Sequence, residues 1–282
     1  MKKLVIAILI IALIMPFFEH TVNAESTVIE VGTDEAFETA ISTIQGTSNG
    51  NYTISLTADI EITDTTAIPA AGNTINNGNT VTLLGNGHNL IIATFSKGRL
   101  AVSGGTLNLG LESGDNVLCI NGSGENNAGA SESVMSVANG IINMYNGVTI
   151  TNDNIEYGSV VGGAVNIRTN GVFNMYGGVM ERCTSPSVAG GAIMMDYANG
   201  VFNMSGGEIR NNSSIWGGAI YMGADSVINI TGGTISGNSA TYGGAIGITA
   251  GQVTIKNATL TQNTSTEYGG AILSYRSSNV TM

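Results

Sequence analysis

The feature that most constrains this chain is a tetrapeptide that returns at a nearly constant interval. Gly-Gly-Ala-Ile begins at Gly190, Gly217, Gly243 and Gly269, and a near-copy that ends in Val165 begins at Gly162. The intervals between these starting points are 28, 27, 26 and 26 residues. A fixed period of roughly 20–50 residues is the signature of stacked repeats, in which each unit packs only on its neighbours. The interval therefore predicts a solenoid.

Each repeat reads as three short strands. About 11 residues after each double glycine comes an apolar–polar–apolar triplet, and a third apolar segment follows it. The triplets are Phe173-Asn174-Met175, Phe202-Asn203-Met204, Ile228-Asn229-Ile230, Val253-Thr254-Ile255 and Val280-Thr281-Met282, with Ile142-Asn143-Met144 and Leu107-Asn108-Leu109 upstream. Period-two alternation indicates strands, and no intervening segment is long enough for a helical crossover. The sequence predicts an all-β fold, a right-handed parallel β-helix with three strands per coil and a period of about 26 residues.

Two sets of asparagines are expected to differ in role. Asn212, Asn238 and Asn263 close the third strand of successive repeats, so their amides should stack into a structural ladder that bonds corner backbone groups. The asparagines inside the triplets have the opposite parity to the core residues and should face solvent. These are Asn143, Asn174, Asn203 and Asn229.

The N-terminal part divides into two predicted segments. Residues 1–24 form a signal peptide, with two lysines, a short apolar run and a small-residue cleavage site at Val22-Asn23-Ala24; an uncleaved anchor is the alternative. Residues 25–50 form an N-terminal cap. Within it, Phe37, Ile41 and Ile44 lie at helical spacing and predict a short helix over 33–45 that covers the open end of the core.

Residues 51–282 form the predicted β-helix, truncated or uncapped at its C-terminus. Val280-Thr281-Met282 reads as the second strand of a coil whose third strand does not follow. We expect this sequence to be a piece of a longer protein. A final coil that is capped by a partner is the alternative.

Composition and charge exclude several classes of partner. Glycine supplies 40 of 282 residues and charged residues only 10%, which fits a solenoid with glycine corners and in-phase apolar positions. The net charge of −11 argues against a nucleic-acid partner, which needs clustered Lys and Arg. Beyond the N-terminus no apolar run reaches the roughly 20 residues of a spanning helix, so membrane attachment would require a C-terminal anchor outside this sequence. We expect a secreted or cell-surface protein.

Residue types that carry catalysis are few. Outside the signal peptide the one histidine is His88, which stands on a Gly/Asn turn with no acid within several residues, so a turn or stacking role is favoured over general acid–base catalysis. The Cys/His spacings of zinc sites are absent, and neither a metal nor another cofactor is predicted. Cys119 and Cys183 fall on different coils, so two separate thiols are favoured over a disulfide.

A polysaccharide lyase or glycosidase is the alternative that this fold class raises. Glycoside hydrolysis needs two carboxylates within roughly 5–10 Å of one another. The acids here are scattered, and the nearest candidate is Glu181 with Arg182, one coil before Glu208 and Arg210. Such neighbours more often form surface salt bridges. No catalytic residue is assigned, and the segment is predicted not to be an enzyme.

An aromatic row is the candidate binding feature. Trp216, Tyr242 and Tyr268 each precede a double glycine and should stack as a ladder along the solenoid. Facing outward, such a row can pack against sugar rings or a protein partner. Facing inward, it merely staples neighbouring coils, and this simpler interpretation is preferred.

The phrase that links the repeats resembles a known one. Apolar-x-x-Asn followed by Gly-Gly-Ala-Ile runs over residues 209–220, 235–246 and 260–272. It resembles the repeat of the polymorphic outer-membrane proteins of chlamydiae, built on Phe-x-x-Asn and Gly-Gly-Ala-Ile, and the wider set of bacterial β-helix surface proteins. Ile or Leu replaces the Phe, and Cys183 replaces one Asn. The resemblance implies an exported, adhesin-like passenger that contacts a host or cell-surface protein or glycan.

Overall fold

The computed structural model describes residues 26–62, 72–92, 99–122, 133–151 and 163–282. It shows an all-β parallel solenoid of about eight turns, with one helix in the part of the chain described. The parallel β-helix that the repeat predicts is thus confirmed. The predicted signal peptide 1–24 and the first glycine of the near-copy, Gly162, lie outside the described residues.

The elements follow one another in short steps. The first half contains β1 (Thr27–Val31), α1 (Asp34–Gln45), β2 (Asn51–Leu56), β3 (Ile60–Ile62), β4 (Asn73–Asn76), β5 (Thr80–Leu84), β6 (Asn89–Ile92), β7 (Leu100–Ser103), β8 (Thr106–Leu109), β9 (Leu118–Asn121), β10 (Met135–Ala138), β11 (Ile141–Met144) and β12 (Val148–Thr151). The second half contains β13 (Val165–Ile167), β14 (Val172–Met175), β15 (Val179–Glu181), β16 (Thr184–Ala189), β17 (Ile193–Met195), β18 (Val201–Met204), β19 (Glu208–Arg210), β20 (Ser213–Trp216), β21 (Ile220–Met222), β22 (Val227–Ile230), β23 (Thr234–Ser236), β24 (Ser239–Tyr242), β25 (Ile246–Ile255), β26 (Thr259–Thr261), β27 (Thr264–Tyr268) and β28 (Ile272–Thr281).

The strands form three parallel sheets. A 16-stranded sheet runs β1-β2-β5-β8-β11-β14-β18-β22-β25 and returns through β21-β17-β13-β10-β7-β4, with β28 on β25. An eight-stranded sheet runs β26-β23-β19-β15-β12-β9-β6-β3, and a four-stranded one runs β16-β20-β24-β27. The two arms of the large sheet meet at β25 because this ten-residue strand pairs with both β21 and β22.

Equivalent apolar residues of successive coils stack to make the core. The triplets pair in register, so that Ile142 aligns with Phe173, Phe173 with Phe202 and Phe202 with Ile228. The two phenylalanine rings lie 5.5 Å apart between centroids, and all four side chains are fully buried. Parallel in-register pairing explains why the sequence repeats residue types as well as their polarity.

Each of the two positions of the double glycine requires a residue without a side chain, for a different reason. The first glycine of each copy has a left-handed φ of 62–69°, as at Gly217 and Gly243, where a Cβ would collide with the carbonyl oxygen three residues later. The second glycine lies against the next coil, so that a Cβ on Gly218 would collide with the carbonyl oxygen of Gly244. The alanine that follows, such as Ala219, is fully buried.

The predicted helix occupies Asp34–Gln45, and β1 lies before it. Thr33 caps the helix in an extended conformation, with its Oγ1 accepting from the Ala36 N–H at 3.1 Å. Phe37, Ile41 and Ile44 are fully buried against the core. The repeat pattern predicts strands from residue 51 onward, but β1 already pairs with β2 over its whole length. Its outward Val28 blurs the alternation that would have revealed it.

Candidate binding surface

The aromatic row lies where the four-stranded sheet meets the Gly-Gly turns. Trp216, Tyr242 and Tyr268 are the last residues of β20, β24 and β27, and they align in register. The Trp216 and Tyr242 ring centroids are 4.4 Å apart with their planes tilted by 31°, and those of Tyr242 and Tyr268 are 6.1 Å apart and stacked at 14°. The structure therefore brings the three rings together as one ladder.

Two further tyrosines enlarge the row into a patch. The rings of Tyr221 and Tyr275 each lie 6.5 Å from that of Trp216, at interplanar angles of 60° and 54°. Tyr275 belongs to β28, two coils beyond Trp216. The strand between β21 and β28 is β25, in which the small Gly247 aligns with Tyr221. We call these five residues, Trp216, Tyr221, Tyr242, Tyr268 and Tyr275, the aromatic patch. Its members from β21 and β28 were not predicted, because they follow the Gly-Gly-Ala-Ile motif without a shared spacing.

The patch faces outward at its edge. Tyr268 is 64% exposed and Tyr275 is 49% exposed, whereas Trp216 and Tyr242 are half-buried. The guanidinium of Arg276 lies 5.3 Å from the centre of the Tyr275 ring. On the other side of the row, Trp216 aligns with the small Ala189. The patch thus combines stapling of neighbouring coils with an exposed aromatic margin.

The corner asparagines form a largely buried hydrogen-bonded ladder. Asn238 Oδ1 accepts from the N–H and the Nδ2 of Asn212, and Asn263 Oδ1 accepts from the same two groups of Asn238, at 2.9–3.1 Å. Each Nδ2 also donates to a carbonyl oxygen of an earlier coil, as Asn238 does to Ile209 at 3.0 Å. These amides satisfy corner backbone groups and are not available to a ligand.

Cys183 stands at the start of this ladder. Its N–H donates to Asn212 Oδ1 at 2.9 Å, and its thiol lies 3.9 Å from the Ile150 carbonyl oxygen, which corresponds to the carbonyl that each asparagine amide reaches. Cys183 is buried, and Cys119 is half-buried on β9. Both are free thiols, and burial raises the pKa of the Cys119 thiol above its usual range.

The triplet asparagines differ from the expectation that they simply face solvent. They are half-buried and form a second ladder on the outside of the large sheet, in which each Nδ2 donates to the previous Oδ1 at 2.8–2.9 Å. The members are Asn108, Asn143, Asn174, Asn203 and Asn229. In-register parallel pairing places identical amides about 4.8 Å apart, which is within their bonding reach.

The acidic residues nearest to a catalytic arrangement are ion-paired. Arg210 Nε lies 2.8 Å from Glu181 Oε2, and Arg210 Nη1 lies 2.8 Å from Glu208 Oε2. Arg182 adds a contact of 3.4 Å to Glu181. The hydrogen bond to Glu181 raises the pKa of the Arg210 guanidinium. This cluster is a surface salt-bridge network in which Arg210 lies between two carboxylates and Arg182 adds a second cation.

His88 has an acidic neighbour that the local sequence does not show. Its Nδ1 lies 3.5 Å from Asp59 Oδ1, 29 residues earlier and one coil away. The Asn89 N–H and Nδ2 also donate to Asp59, and these bonds lower the pKa of the Asp59 carboxyl. The pair is solvent-exposed on a turn.

Within the described ranges, no three His, Cys, Asp or Glu side chains converge on a point that could hold a metal ion. None of the described residues belongs to a helix with the length and apolar character of a membrane span. Comparison with known proteins adds no relative: no family model matches the chain, and neither a curated protein nor a solved structure is significantly similar to it.

Proposed function

We propose that this chain is an exported, non-catalytic β-helix that binds a surface glycan through the aromatic patch, in the manner of an adhesin. The observation that carries the proposal is the patch itself, five rings within one corner of the solenoid with an exposed margin at Tyr268 and Tyr275. Aromatic faces and edges pack against the C–H faces of sugars, and phenol hydroxyls offer hydrogen bonds beside them. A protein partner for the same patch is the second candidate.

The charge distribution supports binding over glycan cleavage. Glu181 and Glu208 are both ion-paired to Arg210, an arrangement typical of a surface salt bridge rather than of the acid and nucleophile pair that glycoside hydrolysis uses. His88 is paired with Asp59 on an exposed turn. The lyase or glycosidase alternative therefore lacks support from the residues that the sequence offered for it.

The bacterial surface location of the protein and the architecture of its coils are part of the same proposal. The apolar-x-x-Asn and Gly-Gly-Ala-Ile phrases support a place among bacterial β-helix surface proteins that resemble the polymorphic outer-membrane proteins. We take each coil to contain three strands, one from each of three faces, and α1 to be the lid of the core. Contacts of Phe37 and Ile44 with the core, and the donation of Asn79 Nδ2 to the Ile44 carbonyl oxygen, support that lid.

A glycan array tests the proposed ligand. The purified chain should bind a subset of neutral glycans, and the double variant Tyr268→Ala/Tyr275→Ala should weaken that binding about tenfold, because it removes the exposed rings without opening the core. Tyr197→Ala is the matched control, since this exposed tyrosine packs under Arg168 instead. Equal binding by the double variant and the control would refute the role of the patch.

Export is tested separately. A bacterial host should release or display the chain with Glu25 as its first residue, because the predicted cleavage follows Ala24. N-terminal sequencing of the exported protein reads this directly. Retention of the full chain in the cytoplasm would contradict the surface setting.

A further inference from the structure

A second group of aromatic and polar side chains lies on earlier coils than the aromatic patch. Tyr145 and Tyr176 directly follow β11 and β14, and their rings stack at 5.3 Å between centroids with an angle of 16°. Together with Glu112 and Asn146 they line a depression of about 280 Å³. Sites for drug-sized ligands range over roughly 300–1,000 Å³, so this volume suits a ligand of a single ring.

Small residues keep the depression open. When the strand register is extended by one residue, Tyr145 aligns with Gly110 on the preceding coil. In the same way, Tyr176 aligns with Ser205 on the following coil. A Cβ on Gly177 would collide with the Asn146 Oδ1. Tyr176 is 48% exposed, so its ring remains accessible beside the small serine.

The polar groups of the depression are unpaired within the part of the chain that the structure describes. The carboxylate of Glu112, the amide of Asn146 and the two phenol hydroxyls make no hydrogen bond or ion pair with any other described residue. The carboxylate lies close enough to contribute, after burial and Tyr176, to the raised pKa of the Tyr145 phenol. Hydrogen-bond acceptors and donors therefore surround the stacked tyrosine rings. This arrangement suits a ligand that has both an apolar face and polar groups.

We propose that this depression, the Tyr145/Tyr176 site, binds one neutral pyranose ring. A pyranose has an apolar C–H face for the exposed tyrosine and hydroxyls for Glu112 and Asn146. An acidic sugar is disfavoured by the Glu112 carboxylate and by the net charge of −11. An organic cation would use the same outer ring face and the Glu112 carboxylate, so it is the competing class that the experiment separates from a neutral sugar.

The site shares only the ligand class of the proposed function and none of the residues of the aromatic patch. Its failure is distinguishable from failure of the patch when binding is measured in the Tyr268→Ala/Tyr275→Ala variant, in which the patch no longer contributes. The site also places sugar recognition on a second part of the solenoid, where the repeat pattern of the sequence predicts no binding site.

Ligand-observed NMR saturation transfer on the full chain with Tyr268→Ala/Tyr275→Ala, which removes the exposed rings of the aromatic patch, tests the site, and every further variant is made in this background. The probes are the methyl glycosides of glucose, galactose and N-acetylglucosamine, with glucuronic acid and tetramethylammonium as competing classes. At least one neutral glycoside should receive saturation, and Tyr176→Ala should weaken its binding about tenfold, while Tyr176→Phe should weaken it only about threefold because the ring remains. Glu112→Gln should also weaken it, through the lost carboxylate acceptor.

The matched control is Tyr197→Ala, which should bind the neutral glycoside as the Tyr268→Ala/Tyr275→Ala background does. Circular dichroism should show that each variant is folded, since Glu112, Asn146 and Tyr176 are exposed. Saturation transfer to tetramethylammonium alone, lost in Glu112→Gln, would overturn the proposal in favour of a cation site. Transfer to no probe, or equal transfer in Tyr176→Ala, would overturn it entirely.

Discussion

At the scale of single residues, the repeated double glycine has two separate physical causes. The first glycine needs a left-handed backbone, as at Gly217, where φ is 62°. The second has no such requirement and is constrained only by the neighbouring coil, whose carbonyl oxygen occupies the position of a side chain at Gly218. Identical motifs therefore contain one conformational and one steric constraint.

The steric constraint can be measured in isolation. Gly218→Ala should lower the free energy of unfolding by about 2 kcal/mol, because the added methyl group collides with the Gly244 carbonyl oxygen in a close-packed interior. Gly270→Ala, at the same motif position, should change it by less than about 0.5 kcal/mol, because a Cβ there meets no atom within 4 Å. Urea denaturation of the two variants checks this, and equal losses would contradict the steric account.

Asp59 gives a residue-scale prediction on pH. Its folded pKa lies below the unfolded value of about 3.9, so the bonds from Asn89 contribute stability that is present above that pH and is lost as the pH falls through the folded pKa. Asp59→Asn should therefore flatten the acid side of the stability profile. Urea titrations between pH 2 and 6 measure it, with Asp115→Asn on an exposed loop as control. A profile unchanged by Asp59→Asn would refute the linkage.

At the scale of elements, two asparagine ladders follow different parts of each coil. The Asn212–Asn238–Asn263 ladder is largely buried and satisfies backbone groups at a corner. The ladder through Asn203 and Asn229 is half-buried and joins amides to one another on an outer face. The same side chain therefore has two energetic roles, set by what it bonds and how far water is excluded.

Alanine substitution should separate the two ladders. Asn238→Ala should cost about 3 kcal/mol of unfolding free energy, because it leaves the Asn212 N–H and the Ile209 carbonyl oxygen without their partner. Asn229→Ala in the adjoining strand of the same coil should cost about 1 kcal/mol or less, because water reaches the groups it leaves. Thermal and urea unfolding compare them. A larger loss at Asn229 would reverse the assignment.

At the scale of the whole molecule, the coil is the unit of construction. Trp216 and Tyr242 align in register, so removal of residues 217–242 joins Trp216 to Gly243 without disturbing the stacking phase. We expect this variant to fold with an unchanged circular dichroism signal per residue and a lower stability, since one interface between coils is lost. Removal of residues 217–229 puts core positions out of phase and should prevent folding of the coils beyond it. Similar behaviour of the two deletions would contradict a repeat-based core.

The sequence predicts the features that recur from coil to coil, but not the contacts between residues that belong to no repeat. The Gly-Gly-Ala-Ile corners, the triplets and the helix near Phe37 all have a period or a face that can be read locally. By contrast, the approach of Asp59 to His88 and of Tyr275 to Trp216 joins residues of different coils that share no motif. The depression beside Tyr145 also depends on glycines whose role appears only when neighbouring coils are stacked. Contacts between unlike coils are therefore the part that required a structure.

The parallel pairing of the coils has a mechanical consequence. Bonds between strands and between ladder amides run along the solenoid axis, so a pull on its two ends would load the interfaces between coils in series. The weakest interface would part first, and each released coil of 26 residues would extend by roughly 85 Å from a rise of about 4.8 Å. A solenoid built this way would yield in steps and absorb work at each one, so it would lengthen before it breaks.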